Sequence, residues 1–218
     1  CHCSIMSTYQ VVSVPGSTPC RAVFLTLEEL NLPYEIVPVD LVNGEHKRPE
    51  FLAKHHPFGQ IPILWDGDFK LFESRAIARY LVTKHKSDAL YPTDEKKRAL
   101  VEQWLSVNQS NNGPVIDIFV EFYINPTFYG KIPDDSKRPG MKEALDKYLA
   151  ILDAHLSSSK CFVGDDLTLA DIFFIPYFQY LVSCKGFDTA FDAFPHLKAW
   201  WETVSARPSW QKVATRPH

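Results

Sequence analysis

The segment between residues 54 and 77 combines residue types that can bind a short peptide. Pro62 follows Ile61 at the start of an expected strand, and Glu73 and Ser74 stand at the start of an expected helix. The backbone of an extended peptide can pair with such a strand, and a negatively charged end can bind at a helix N-terminus. The sequence therefore indicates a site for a short, charged peptide.

The expected helix start and the expected strand start in this segment suit different parts of the peptide. Ser74 and the first helix amides can bind a carboxylate while Glu73 pairs with an ammonium, which fits an α-amino acid head group; the alternative is an ordinary capped helix with an acid nearby. A cis bond before Pro62 would turn the N–H and C=O of Ile61 outward, toward a cysteinyl backbone. An ordinary edge-strand proline is the alternative, and the sequence leaves both open.

A second group of polar residues can hold the far end of the same peptide. His46 and Lys47 lie in a polar segment expected to form a surface loop. A cation there can bind a carboxylate, and the alternative is a solvated run of charges. Gln60 can hydrogen-bond the peptide. The pair His55–His56 lacks a third ligand at ligand spacing, so we expect no metal.

Ser17 lies between the first expected strand and the helix that follows. A hydroxyl there can donate to a thiolate that also feels the partial positive charge of the helix N-terminus, and such a donor favours ionisation. The alternative is a serine that only caps the helix; the peptide-binding context favours the donor. Cys20, three residues on, can form a mixed disulfide or be a buried, inert thiol, and we favour the second.

The elements that position these residues form an α/β unit. A strand, a helix and a second strand make a parallel β-α-β crossover, and a hairpin around Asp-Gly and a final helix follow. This order, with an irregular segment before the hairpin, is thioredoxin-like over residues 8–85. The expected strands are 9–14, 34–40, 61–64 and 69–72, and the expected last helix is 74–84.

The remainder of the chain is predicted to be helical. Residues 86–93 form a polar linker, and 94–218 form an all-α domain. A capping box, Thr168 to Asp171, marks one helix start. The other expected helices are 96–124 with an interruption at 111–114, 141–157, 195–205 and one from Trp210 onward.

Composition and charge narrow the classes of function. The chain has 218 residues, 45% of them hydrophobic, and a formal net charge of -3. This charge gives no reason to expect nucleic acid or an anionic membrane as partner. No apolar run approaches the roughly 20 residues of a membrane span. Five scattered cysteines predict free thiols in a reducing compartment, hence a cytoplasmic protein. Residues 1–7 are expected to be a disordered leader with a natural start at Met6.

In order and spacing, these motifs resemble those of the glutathione transferases, in particular the phi class of plants and fungi. The resemblance extends over about residues 9–213. The motifs that carry it are Ser17-Thr18, Asn43-Gly-Glu-His-Lys47, Pro57-Phe-Gly-Gln-Ile-Pro62, Asp66 to Ile77, Leu167-Thr-Leu-Ala-Asp171, Phe194 to Trp200 and Arg207-Pro-Ser-Trp210. One departure is His56, where the family pattern usually has asparagine.

The resemblance implies a thioredoxin-like domain followed by an all-α domain, with glutathione as co-substrate. It implies that Ser17 is the catalytic hydroxyl. The residues it assigns to glutathione are His46 and Lys47 near the glycyl carboxylate, Gln60, Ile61 and the cis-proline Pro62 along the backbone, and Glu73 and Ser74 at the γ-glutamyl group.

The expected activity is conjugation of glutathione to hydrophobic electrophiles, with reduction of organic hydroperoxides as a second use of one thiolate. A thiol-transferase is an alternative, but serine at position 17 argues against it. A non-catalytic carrier of hydrophobic molecules and a scaffold module are further alternatives. Aromatic residues suited to a hydrophobic pocket, although more often core, are Trp104, Phe119, Phe122 and Tyr123.

The resemblance also implies a homodimer. Phe58 follows a proline in an expected loop, where a large apolar side chain needs a cover. We expect it to anchor the partner subunit; the alternative is that it folds back on its own core.

Overall fold

A computed structural model describes residues 8–216, which form two compact units. Residues 8–87 and 208–216 make up the first unit, and residues 88–207 make up the second. The leader predicted for residues 1–7 lies outside the described residues.

The first unit has the predicted thioredoxin-like order of elements. The segment expected to be irregular contains a short helix, α2, which begins at a proline, a favourable first helical residue. The elements are β1 (Tyr9–Ser13), α1 (Thr18–Glu29), β2 (Tyr34–Pro38), a 3₁₀ turn (Glu45–Lys47), α2 (Pro49–Lys54), β3 (Ile63–Asp66), β4 (Phe69–Phe72) and α3 (Ser74–Lys84).

The four strands form one mixed sheet in the order β2-β1-β3-β4. β1 and β2 are parallel, as the crossover predicts, and β3 is antiparallel to both β1 and β4. Helices α1 and α3 pack together. Phe51 of α2 packs in a cluster with Val12 and Ile63 of the sheet, so α2 belongs to the core of this unit.

The second unit consists of helices around α8, most of whose residues are buried. The predicted interruption at 111–114 is confirmed, since one helix ends at Asn111 and the next begins at Gly113. The elements are α4 (Glu95–Asn111), α5 (Gly113–Phe119), a π-helical turn (Val120–Ile124), α6 (Asn125–Tyr129), a 3₁₀ turn (Asp135–Lys137), α7 (Arg138–Leu156), α8 (Leu169–Ser183) and α9 (Pro195–Ser205).

The last helix, α10 (Pro208–Ala214), corrects the predicted boundary of the helical domain, residues 94–218. It groups with the first unit because it packs against α1. Lys212 and Arg216 both reach Glu28 of α1, at 2.7 and 3.1 Å. Such pairing between distant parts of the chain leaves no local pattern in the sequence. None of the helices within residues 8–216 combines the length and apolar character that a bilayer crossing requires.

Candidate active site

The seven residues predicted to bind the peptide all line one cavity of about 430 Å³ in the first unit. They come from three places: the 3₁₀ turn, the segment before β3 and the start of α3. The cavity is lined by Pro19, Leu41, His46, Lys47, His56, Gly59, Gln60, Ile61, Pro62, Glu73, Ser74 and Arg75. The structure therefore brings these residues together, and their individual roles stay predictions.

The segment before β3 reaches the cavity edge through a cis peptide bond between Ile61 and Pro62. The sequence left this isomer open. Pro62 is buried, whereas Gln60 is exposed. Ile61 packs against the core cluster that contains Val12, Phe51 and Ile63. The backbone at positions 60 and 61 therefore stands at the cavity, while its neighbours anchor it.

The start of α3 places a negative and a positive feature side by side. Glu73 precedes the helix with φ 72° and ψ 111°, an unusual backbone conformation for a residue other than glycine. Its side chain is exposed and does not cap the helix. Ser74 is the first residue of α3 and is 7% exposed. A carboxylate thus lies beside the amides of a helix N-terminus, the pair of charges that an α-amino acid head group requires.

A further part of the cavity lining is formed by Lys47 and His46 of the 3₁₀ turn. Lys47 Nζ donates to the carbonyl oxygens of Phe58 and Gly59, both at 2.9 Å, which leaves one of its three N–H donors for another acceptor. His46 Nδ1 is buried and has no hydrogen-bond partner within residues 8–216. Burial, and then the Lys47 charge, lowers the pKa of His46. This part of the lining can therefore hold an anion, although Lys47 is already partly committed to the protein.

Ser17 occupies the N-cap position of α1, but its side chain makes no capping hydrogen bond. Its backbone is fixed from both sides, with its N–H bonded to Val14 O at 3.0 Å and its carbonyl accepting from Arg21 N at 2.9 Å. Ser17 is not among the lining residues of the cavity, whereas Pro19 is. The simple capping role, the alternative that the sequence offered, does not describe this hydroxyl.

A hydrogen bond from the Ser17 side chain would stabilise the Cys20 thiolate and therefore acts to lower the pKa of that thiol. The cysteine is fully buried, and burial raises the pKa of its thiol to about 12 despite that hydrogen bond. A protonated, inaccessible thiol is unreactive. The structure therefore supports the inert-thiol interpretation of Cys20.

Arg21 is a supporting residue that the sequence reasoning missed. It is 2% exposed, and its Nε donates to the carbonyl of Pro15 at 2.9 Å. This contact fixes the loop between β1 and α1 that carries Ser17. An arginine within an otherwise apolar run of α1 was the available signal, since a buried arginine requires internal partners.

Phe58 stands out from its loop, with 71% of its surface exposed. The alternative that it folds back on its own core is wrong. Its role as a dimer anchor stays a prediction.

Within residues 8–216, no three His, Cys, Asp or Glu side chains gather as a metal site would require.

The four aromatic candidates for a hydrophobic pocket have different environments within the second unit. Trp104 is 6% exposed and packs against His155 and Phe162, with ring centroids 4.2 and 4.9 Å away. It is a core residue, and its assignment to a ligand surface is corrected. Phe119 and Tyr123 stack at 5.4 Å and are half-buried.

Phe122, the remaining candidate, is also half-buried and contacts a cation. The guanidinium of Arg138 lies 4.1 Å from its ring centroid. Phe119, Phe122 and Tyr123 thus keep part of their surface free, and their contact with a ligand stays a prediction.

Comparison with known proteins identifies the class to which this fold and cavity belong. The model of the glutathione S-transferase N-terminal domain matches residues 7–83, and that of the C-terminal domain matches residues 114–208. A probable glutathione S-transferase of Oryza sativa subsp. japonica, GSTF2, is 41% identical over 199 residues, which cover 91% of this chain and 90% of the relative. Glutathione S-transferase F9 of Arabidopsis thaliana is 39% identical, with 92% and 93% covered.

Solved structures agree with these relatives. Glutathione transferase F7 from Populus trichocarpa has a TM-score of 0.88 at 41% identity, with 95% of this chain and 98% of that chain covered. Maize glutathione S-transferase I, solved with an atrazine glutathione conjugate, has a TM-score of 0.87 at 35% identity, with 95% and 97% covered. The chain therefore belongs to the glutathione S-transferase family, in its phi class. Its function is that of a glutathione S-transferase.

Proposed function

We propose that this chain ionises the thiol of glutathione through Ser17 and transfers the thiolate to hydrophobic electrophiles. The observation that supports the proposal most directly is the Ser17 hydroxyl, which stands at the N-cap position of α1 without capping the helix. A sulfur bound there would receive a hydrogen bond and also lie near the partial positive charge of the helix N-terminus.

The energy of such a contact is sufficient for the chemistry. A thiol of ordinary pKa, about 8.5, is largely protonated at pH 7. A hydrogen bond to a charged group contributes about 1.5–3 kcal/mol, which lowers the thiol pKa by about one to two units. Because burial keeps the Cys20 thiol protonated, its sulfur carries no negative charge that would compete for the Ser17 O–H.

The cavity supports glutathione as the peptide that carries this thiol. Glutathione has an α-amino acid head group at one end and a carboxylate at the other. Glu73 and the α3 N-terminus match the head group, and Lys47 with His46 matches the far carboxylate. The cis Ile61–Pro62 segment lines the same cavity and suits the cysteinyl backbone.

Two reactions would follow from one thiolate. In conjugation, the sulfur forms a bond to an electrophilic carbon and displaces a leaving group such as chloride, or adds to an isothiocyanate carbon. In hydroperoxide reduction, the sulfur attacks the outer peroxide oxygen and releases an alcohol. A second glutathione then converts the resulting sulfenic acid to the disulfide and water. We propose conjugation as the main activity and peroxide reduction as a side activity.

The test is Ser17→Ala, with Ser17→Thr as the matched variant that keeps a hydroxyl. Loss of one anion-stabilising donor should lower turnover about 10- to 1,000-fold. The pKa of the bound thiol, measured by thiolate absorbance, should rise in the alanine variant and change less in the threonine variant. An unchanged pKa together with normal turnover in Ser17→Ala would remove Ser17 from the mechanism.

The electrophile class is tested with a panel of aryl halides, isothiocyanates and hydroperoxides, beside binding of a fluorescent apolar ligand. Turnover of any of the first two classes supports conjugation. Tight binding of the fluorescent ligand without turnover of any substrate would instead favour the carrier function.

We further propose a cytoplasmic homodimer with Phe58 as an anchor. The exposed Phe58 side chain supports the anchor, and the three cysteines that the structure describes are all free and buried, which fits a reducing compartment. Sedimentation should show that Phe58→Ala dissociates at concentrations at which the wild type stays dimeric. A stable dimer in both proteins contradicts the anchor.

A further inference from the structure

His56 holds a tight turn at the cavity. Its carbonyl accepts from Gly59 N at 2.9 Å, and its ring Nδ1 accepts from Phe58 N at 3.1 Å. The side chain thus bonds the backbone two residues on, as an asparagine side chain does in an Asx turn.

This geometry fixes the protonation state of the ring. An imidazole nitrogen accepts a hydrogen bond only when it carries no proton, so His56 is neutral with its proton on Nε2. The side chain is 2% exposed, and its ring packs against Phe72 with a centroid separation of 4.4 Å. A second proton, on Nδ1, would face the Phe58 N–H, and two donors would meet.

The turn that His56 holds contacts two of the residues expected to bind glutathione, Lys47 and His46. Its carbonyls at Phe58 and Gly59 receive the Lys47 ammonium. Gly59 also lies so close to the 3₁₀ turn that an added Cβ would be 2.2 Å from the His46 carbonyl oxygen. Loosening the turn would therefore disturb His46 and Lys47.

We propose that His56 is a positioning residue that makes glutathione affinity depend on pH: the neutral ring holds the turn in its binding geometry, and the protonated ring releases it. The proposal rests on the proposed function, because it concerns the same glutathione site. It goes beyond that function because it predicts that glutathione affinity falls at low pH.

Charged groups around His56 set the pH at which release occurs. Burial lowers the pKa of His56 most; Glu73 opposes this effect, and Lys47 and Lys70 add to it. A pKa lowered on folding means that the folded state resists protonation. The stabilising contact is therefore complete above about pH 6.5, the ordinary imidazole pKa, and is lost as the pH falls toward the lower folded-state value.

His46 responds to acid in the opposite sense. Its protonation adds a positive charge at the side of the cavity where a carboxylate is expected, which would strengthen glutathione binding. The test must therefore keep His46 and change only His56.

The experiment measures the Kd of S-methylglutathione, which has no thiol to ionise, by titration calorimetry at pH 8 and at a series of lower pH values, down to the lowest at which circular dichroism shows the protein folded. It compares the wild type with His56→Asn, which keeps an acceptor for Phe58 N–H but does not titrate in this range, and with His56→Phe, which keeps a ring but has no acceptor. Affinity of the wild type should fall on acidification, and that of His56→Asn should stay level or rise. His56→Phe should bind about tenfold more weakly than the wild type at pH 8, the effect of losing one hydrogen bond.

The outcomes separate the two proposals. Equal pH dependence in the wild type and His56→Asn overturns the role of His56 while the glutathione site stands. If the wild type does not bind S-methylglutathione at pH 8, the proposed function fails and this proposal fails with it. If His56→Phe does not fold, as judged by circular dichroism, the comparison of the wild type with His56→Asn decides alone.

Discussion

Two polar regions of this molecule differ in how far their hydrogen-bonding groups are paired within the protein. In the second unit, the Asp171 carboxylate is fully buried and accepts four hydrogen bonds, from Phe162 N, Thr168 N, Thr168 Oγ1 and Trp200 Nε1, at 2.9 to 3.1 Å. In the first unit, His46 Nδ1 has no hydrogen-bond partner among the described residues, and Glu73, in an unusual backbone conformation, has an exposed side chain.

This difference distinguishes polar groups that stabilise the fold from polar groups that can bind a ligand. Burial raises the pKa of Asp171, and the four donors oppose that effect by stabilising the charged form. A buried group with every hydrogen bond made inside the chain fixes the fold. Groups whose hydrogen-bonding capacity is left open, around a cavity, are available to a ligand. Changes to the hydrogen bonds around Asp171 should therefore alter stability, and changes to the cavity residues should alter glutathione binding.

Asp171→Ala should produce the largest effect. It leaves buried donors on Phe162, Thr168 and Trp200 without an acceptor, and we expect a loss of about 3–5 kcal/mol in the free energy of unfolding. Chemical denaturation measures this loss, with the exposed Asp166→Ala as control, for which the change should stay within about 0.5 kcal/mol. Equal stability of the two variants would contradict the structural role of the buried carboxylate.

Gly59→Ala tests whether the turn at the cavity positions the binding residues, and Gly67→Ala is the matched control. Both glycines have nearly the same positive φ, 59° and 58°, but an added Cβ meets the His46 carbonyl only at position 59 and meets nothing within 4 Å at position 67. The shared backbone strain should cost about 1–2 kcal/mol in each variant. The contact at position 59 should add about 1–3 kcal/mol.

Glutathione binding distinguishes these two glycine variants. Gly59→Ala displaces the turn that carries Gln60 and contacts Lys47, so its KM for glutathione should rise. Gly67→Ala should leave the KM unchanged. A similar KM in both variants would show that the turn does not position the site.

Much of this comparison could be predicted from local sequence patterns. Thr168 and Asp171 at capping-box spacing predicted the start of α8, and both hydrogen bonds of the box are present. The charged and polar residues of the cavity could be found because they lie in a polar loop or at the start of a predicted strand or helix. The predicted ranges 74–84 and 195–205 coincide with α3 and α9.

The features that sequence patterns missed depend on contacts between residues far apart in the chain, on side-chain orientation, or on elements too short to show a period. Trp200 donates to Asp171 from 29 positions away, so the capping box alone did not reveal a buried network. His56 was considered as a metal ligand and as a departure from the family pattern, but its acceptor role was missed because it depends on ring orientation. Helix α2 was missed since its six residues are too few for a helical period to stand out.

Glu73→Gln should act on substrate affinity more than on turnover. The carboxylate is expected to hold the γ-glutamyl ammonium, remote from the sulfur, so its loss mainly removes uniform binding and raises the KM about tenfold. A glutathione analogue without that ammonium should lose less affinity in the variant than in the wild type. Equal losses in the two proteins would show that Glu73 does not contact the ammonium.

Thr168→Ala should give the smallest effect and should fall on the structural side of the comparison. The side chain accepts from Ala170 N at 3.2 Å and donates to Asp171 at 3.1 Å, so alanine removes a helix cap and one of the four donors. Loss of a threonine cap costs about 1 kcal/mol. Thr168→Ser keeps the hydroxyl and should recover most of this stability, as measured by denaturant midpoints. The KM for glutathione should be unchanged in both variants, and a raised KM in Thr168→Ala alone would show that the two polar regions are coupled.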